Sequence, residues 1–162
     1  MKTLAYVQFL KLNIFFMNSA NFHLAELNIA ELKHPMDSPE LADFVANIGR
    51  SNQLAENHLG FIWRLVEDTE LLFDPDHFLV NMSVWETPES LKAFTYETAH
   101  VEIMRQRKKW FEHMKNNYFV MWWNPKGHIP TLKEGKEKLE YLDQQGPSPA
   151  AFTYSQIFQP QL

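Results

Sequence analysis

The amino-acid sequence predicts an α+β domain whose elements follow the order β-α-β-β-α-β, with a further helix near the C-terminus. Three observations lead there. Hydrophobic periodicity switches in that order between the two-residue repeat of strands and the repeat of about 3.6 residues of helices. Ser38-Pro39-Glu40 and Thr87-Pro88-Glu89 each place a capping residue and a first-turn proline ahead of a helical pattern. A chain of 162 residues with 45% hydrophobic and 22% charged content suits one packed domain.

Phe22 to Ile29 alternates as a strand, with His23, Ala25, Leu27 and Ile29 on one face and Phe22, Leu24, Glu26 and Asn28 on the other. After a loop through Pro35, Leu41, Phe44, Val45, Ile48, Asn52 and Ala55 fall on one helical stripe that ends near Gly60. Phe61 to Glu67 and His77 to Glu86 are rich in β-branched and aromatic residues and flank a charged, proline-containing loop, which reads as an antiparallel pair. The helix opened by Thr87 runs to about Asn116, with a break near Thr98. Tyr118 to Asn124 is a fourth strand, apolar on both faces. Thr131 and Glu134 form a capping-box pattern for a helix reaching Gly146, and Ala-Phe-Thr-Tyr in the following tail reads as a short added strand.

The order is that of a split βαβ, ferredoxin-like fold: an antiparallel sheet with two helices on one face. Strands apolar on both sides need cover on both sides, and a second copy packed sheet to sheet would supply it, so a homodimer is expected. Residues 1–20 read as an N-terminal extension dispensable for the fold, residues 21–154 as the domain and residues 155–162 as a tail. In the first sixteen residues Gln8, Lys11 and Asn13 interrupt the apolar pattern. That leaves no apolar run of the about 7 to 15 residues a signal peptide needs, nor of the about 20 a membrane span needs.

Composition removes several classes of function. Fifteen Lys+Arg against twenty Asp+Glu give a net charge of −5, which disfavours sequence-independent binding to nucleic acid. The absence of cysteine removes disulfides, thiolate nucleophiles and Cys-based metal sites, and fits a cytoplasmic address. No phosphate-cradling glycine loop or nucleophile elbow occurs. The Arg105-Gln-Arg-Lys-Lys109 run, flanked by Glu102 and Glu112, reads as a solvated helix face, Arg107 excepted. The excess is aromatic, at 14%, which suits a large apolar pocket or interface in addition to a core.

Five stretches together carry a resemblance. They are Gly60-Phe-Ile-Trp-Arg-Leu65, Asn81-Met-Ser-Val-Trp-Glu86, Ala93-Phe-Thr-Tyr-Glu-Thr-Ala-His100 followed by Arg105, Arg107, Trp110 and Phe111, then Trp122-Trp-Asn-Pro-Lys-Gly-His-Ile-Pro130, and Gly146-Pro147. Across about residues 21–154 the chain resembles domain-of-unknown-function family 3291, of the dimeric α+β barrel superfamily. Other branches of that superfamily include antibiotic-biosynthesis-type monooxygenases and haem-degrading enzymes. The segment around His100 also looks like the equivalent helix of haem-dependent spheroidene monooxygenases. The resemblance implies a dimeric barrel and a monooxygenase-like activity on a small hydrophobic or aromatic substrate, with haem as a candidate cofactor. The haem-degrading branch uses an Asn on the first strand with a Trp and a His on the second helix. Asn28 and His100 occupy comparable elements, whereas Phe94 stands nearest to the Trp position, at a shorter spacing from the histidine.

His100 shares a stripe, to within about 80°, with Tyr96, Ile103, Met104, Arg107, Trp110 and Phe111, so its imidazole faces the sheet. It is either a core histidine satisfied by hydrogen bonds or an axial ligand or general base. No spacing among the seven histidines suggests a mononuclear metal cage. Arg64, Asn28, Asn81 and Ser83 are polar groups set in otherwise apolar strand faces; Arg64 paired with Glu26, or Glu86 with Arg107, would satisfy burial without a ligand. Alternatively, His100, Arg64 and Asn28 do chemistry, and Asn81, Ser83, Trp85, Trp63, Trp122 and Arg107 bind the substrate. Two classes of function remain, a monooxygenase-like enzyme and a non-catalytic dimeric module that binds an apolar ligand or a protein partner.

Overall fold

The computed structural model describes residues 21–67 and 71–161. The extension expected over residues 1–20 lies outside the described residues. The strands are β1 (Phe22–Glu31), β2 (Phe61–Arg64), β3 (Phe78–Trp85) and β4 (Phe119–Pro125). The helices are α1 (Ala42–Glu56), α2 (Pro88–Glu97), α3 (His100–Trp110) and α4 (Leu132–Gln145). The strands form one antiparallel sheet in the order β2-β3-β1-β4.

Local chemistry sets most of the boundaries. Pro39 to Leu41 makes a 3-10 turn, and α1 proper begins at Ala42; the Ser38 side chain makes no cap hydrogen bond. Thr87 accepts a hydrogen bond from the Ser90 amide at 3.1 Å and starts α2 at Pro88. The expected break falls at Thr98, whose backbone is extended; its hydroxyl donates to the Phe94 carbonyl at 2.6 Å and accepts from the His100 amide at 3.1 Å. Thr131 and Glu134 complete their capping box, with bonds of 3.2 and 2.6 Å. Beyond β4, Phe152 pairs with Met121 through two backbone bonds of 2.7 and 2.9 Å, so the tail adds a short bridge to that sheet edge. The tail is also held further on, where the Trp123 indole donates to the Phe158 carbonyl at 2.7 Å.

The sheet has a layer on each side. Ala25, Leu27, Met82, Val84, Val120 and Trp122 face α4, which contributes Leu132, Leu139 and Leu142. Gly135 permits close approach there: a Cβ at this position would lie 3.1 Å from Met82 Sδ and 3.3 Å from Leu27 Cδ2. The face that the sequence argument leaves to a second copy is thus covered by the chain's own fourth helix. The opposite face packs Leu24, Trp85 and Met121 against Ala55 of α1 and Leu91 and Phe94 of α2. Further along, Leu32, Phe44 and Trp110 close a third cluster between α1 and α3. Among the described residues no helix is long and apolar enough to cross a membrane.

A register shift in β2 alters one expectation. Phe61 pairs with Trp85, but Trp63 pairs with Val84 and Arg64 with Ser83, so the ladder is irregular between Phe61 and Trp63. Simple alternation would group Arg64 with Ile62; the irregularity instead puts Arg64 on the side of Phe61 and sends Trp63 to the α4 side.

Candidate functional site

Between the sheet and helices α1 to α3 lies a cavity of about 930 Å³. Its floor is built by register. Glu26 stands opposite Ser83 and Asn28 opposite Asn81, and the strand period puts all four on the helix side. Trp85 and Phe94 close one end, where Trp85 is fully buried and the two rings stack at 5.2 Å. Phe94 in turn packs on His100 at 4.7 Å, which gives a column of three rings along one wall. Asn81 is exposed, so the cavity opens at the Asn28–Asn81 end, where the Asn81 side-chain amide donates to Asn28 Oδ1 at 3.2 Å.

At the closed end runs a chain of hydrogen bonds. The Trp85 indole donates to Ser83 Oγ at 2.8 Å, and the Ser83 hydroxyl donates to Glu26 Oε1 in a short bond. Glu26 is 5% exposed and its second carboxylate oxygen, Oε2, has no partner among the described residues. Burial in this apolar setting pushes the carboxyl up to about 7, a rise that the Ser83 hydrogen bond only partly offsets. The Tyr154 hydroxyl, from the tail, is also buried without a partner, and burial together with the nearby Glu26 charge holds its proton well above the usual phenol range.

Of the residues singled out from sequence, His100, Arg64, Asn28, Asn81, Ser83, Trp85 and Arg107 line this cavity. Trp63 and Trp122 do not. Trp63 is turned away by the irregularity in β2, and Trp122 pairs with Ala25, whose side chain points to α4. The anticipated charge pairs also differ. Arg64 Nε donates to Glu56 of α1 at 2.7 Å, not to Glu26, because Glu56 ends the helix above β2 and keeps its charge near solvent. Arg107 lies over the Tyr118 ring at 5.1 Å, a cation–π contact in place of a pair with Glu86. His100 sits at the N-terminus of α3, since the Thr98 break interrupts the continuous helix on which its stripe was drawn. Its Nδ1 donates to the Thr95 carbonyl at 3.4 Å, and burial, only partly offset by that bond, holds the imidazole below its usual range.

Sequence reasoning missed Glu26 and Tyr154 as members of the site. One signal was present for the first, a carboxylate in the middle of an apolar strand face; nothing local marks the second. Among the described residues no group of three His, Asp or Glu side chains is arranged to hold a metal ion.

No curated protein and no solved structure matches the chain. Residues 23–162 match the family described as Domain of unknown function (DUF3291), and the chain belongs to that family.

Proposed function

We propose that the protein binds a small, largely apolar molecule of aromatic size in the cavity between the sheet and α1 to α3, and acts on it as a monooxygenase-like enzyme. The observation that carries the reading is the character of the cavity: aromatic side chains such as Phe61, Trp85, Phe94 and Phe119 stand in its wall, and Glu26, Asn28, Asn81 and Ser83 set polar groups in its floor, a mixed lining that suits a small molecule with both an aromatic body and polar substituents. A strand order of β2-β3-β1-β4 supports a ferredoxin-like split βαβ. A cytoplasmic address and a homodimer belong to the same reading. The exposed side chains of Ile62 on β2, at 39%, and of Val66 just beyond that strand, at 75%, lie at the end of the sheet and offer a surface for the second copy.

For a haem-dependent form of this activity, His100 is the residue that fits the iron. Burial disfavours protonation of its ring, and with Nδ1 donating to Thr95 the other nitrogen is left to ligate. Haem would supply dioxygen activation when bound, and the chain would seat the substrate against the Trp85 and Phe94 rings. Adding haem to the purified protein should produce a Soret band that His100→Ala removes.

The test of the reading itself is to incubate the protein with a panel of hydroxylated polycyclic aromatic compounds, with and without haem and a two-electron reductant such as ascorbate to reduce the second oxygen atom to water, following binding by calorimetry and dioxygen uptake with an electrode. Saturable binding with dioxygen uptake is the expected result. Binding without uptake would leave the non-catalytic module, and no binding across the panel would overturn the cavity as a ligand site.

A further inference from the structure

Two residues that line the cavity, Glu26 and Tyr154, carry buried polar atoms with no hydrogen-bond partner among the described residues. Glu26 faces Met121 across β1 and β4, and Met121 bridges to Phe152, so these residues form one row across the sheet. Tyr154 follows two residues after Phe152, lines the same cavity, and stacks on Phe119 at 5.5 Å; Phe119 in turn pairs with Asn28, the next residue on Glu26's face. Glu26 and Tyr154 are close enough that a charge on the carboxylate opposes ionisation of the phenol. Among the described residues neither Glu26 Oε2 nor the Tyr154 hydroxyl has a hydrogen-bond partner. Buried polar groups are normally paired, and two unpaired oxygens from different elements beside one cavity mark a place where a ligand atom completes the set.

We propose that Glu26 and Tyr154 together bind a phenol or enol hydroxyl, which donates to Glu26 Oε2 and accepts from the Tyr154 hydroxyl. One ligand oxygen then satisfies both orphans, and the aromatic walls seat the ring that carries it. This names the substrate class, hydroxylated aromatic or conjugated molecules, and rests on the ligand-binding reading of the cavity. The Trp85–Ser83–Glu26 chain fixes Oε1 and so orients Oε2. In this arrangement Glu26 is the proton acceptor. The ligand O–H bond breaks, the proton passes to Oε2, the electron pair stays on the ligand oxygen, and the Tyr154 hydrogen bond stabilises the resulting anion.

Three probes separate the contributions: 2-naphthol donates and accepts, 2-methoxynaphthalene only accepts, and naphthalene does neither. Titration of the 162-residue chain should give an affinity for 2-naphthol roughly 10- to 100-fold above that for naphthalene, the range for hydrogen bonds involving a charged group. Glu26→Gln should remove most of the preference for 2-naphthol over 2-methoxynaphthalene. Tyr154→Phe should weaken both oxygenated probes and spare naphthalene; its hydroxyl has no partner to lose, so folding is not at risk. Equal binding of all three probes, or unchanged preferences in both variants, would overturn the proposal while leaving the cavity as a binding site. Failure of every probe to bind would instead remove the cavity reading beneath it.

Discussion

The two faces of the sheet are made by the same strands, residue by alternate residue, yet they are built to different ends. Towards α4 the surface is Ala25, Leu27, Ile29, Met82, Val84, Val120 and Trp122, closed by leucines of the helix. Towards α1 to α3 the intervening positions include Glu26, Asn28, Asn81 and Ser83, and a cavity remains. Strand geometry makes this division absolute: a period of two sends neighbours to opposite sides, so one face is free to carry polar chemistry while the other supplies dry packing. The helix side carries packing as well, through Leu24, Trp85 and Met121, so what distinguishes the α4 side is that it carries packing alone.

The largest expected effect tests the dry face. Trp122→Ala should destabilise the protein by about 3 to 5 kcal/mol in urea denaturation, because the residue is buried among α4 contacts that cannot collapse fully. Affinity for ligands in the cavity should change little among the molecules that stay folded. A loss of binding without loss of stability would join the two faces that the comparison separates.

The next effect belongs to the polar face and depends on pH. The Glu26 carboxyl lies at about 7 in the folded chain against an ordinary 4.5, so the folded protein holds this proton more tightly than the unfolded chain. Its contribution to stability is therefore complete below pH 4.5 and is lost as pH rises through about 7. The loss should be about 3 kcal/mol at most. The groups facing it are Ser83 from β3 and Tyr154 from the tail, while Arg64 of β2 is engaged by Glu56. Denaturation at pH 5 and pH 8 should show the decline, and Glu26→Gln should flatten it and be the more stable protein at pH 8. A slope unchanged in the variant would assign the pH dependence to other groups.

The contrast between faces was only partly legible in the sequence. Periodicity and capping residues located the elements well, because Thr87, Thr131 and Glu134 act through bonds to backbone groups no more than three residues away. The alternation in β1 and β3 put Asn28, Asn81 and Ser83 on their true face, as it must where a ladder is regular. It misplaced Trp63, since one irregular step in β2 inverts every side chain beyond it and leaves no mark in composition. The sequence does not show that α4 packs on the second face, because the destination of an amphipathic helix is a tertiary matter. Tyr154 reaches the cavity only because the Phe152 bridge returns the tail to β4, a pairing between residues thirty or so apart. The partners of Arg64 and Arg107 were misjudged for the same reason: Glu56 and Tyr118 become neighbours only in the assembled fold.

A smaller effect is expected at His100. Its one side-chain hydrogen bond is long, at 3.4 Å, and the residue is only part-buried, so His100→Gln should cost about 1 kcal/mol in the same denaturation assay. A cost near that of Trp122→Ala would make the imidazole part of the packed core. Loss of a haem spectrum from an otherwise stable variant would place its importance in ligation.

The smallest effect should come from Tyr154→Phe, and its smallness is informative. Removing a hydroxyl that has a good partner normally costs about 1 kcal/mol, and more when the partner is left unpaired. Here the hydroxyl is buried with no partner, and the ring keeps its stacking on Phe119 at 5.5 Å after the change. The substitution therefore removes a desolvated polar atom and no bond. Stability should be unchanged within about 0.5 kcal/mol, or should rise. On the α4 face, where every buried side chain is already matched by its neighbours, deleting atoms can only loosen packing. A site held ready for a ligand behaves the opposite way, because the free protein carries the unmet hydrogen bond. Calorimetric melting of both proteins, without and with 2-naphthol, separates the cases. The hydroxyl should be neutral or costly in the free state and should increase the shift in melting temperature when the probe is bound. A clear destabilisation of free Tyr154→Phe would mean that the hydroxyl already has a partner, and the polar face would then be as complete as the dry one.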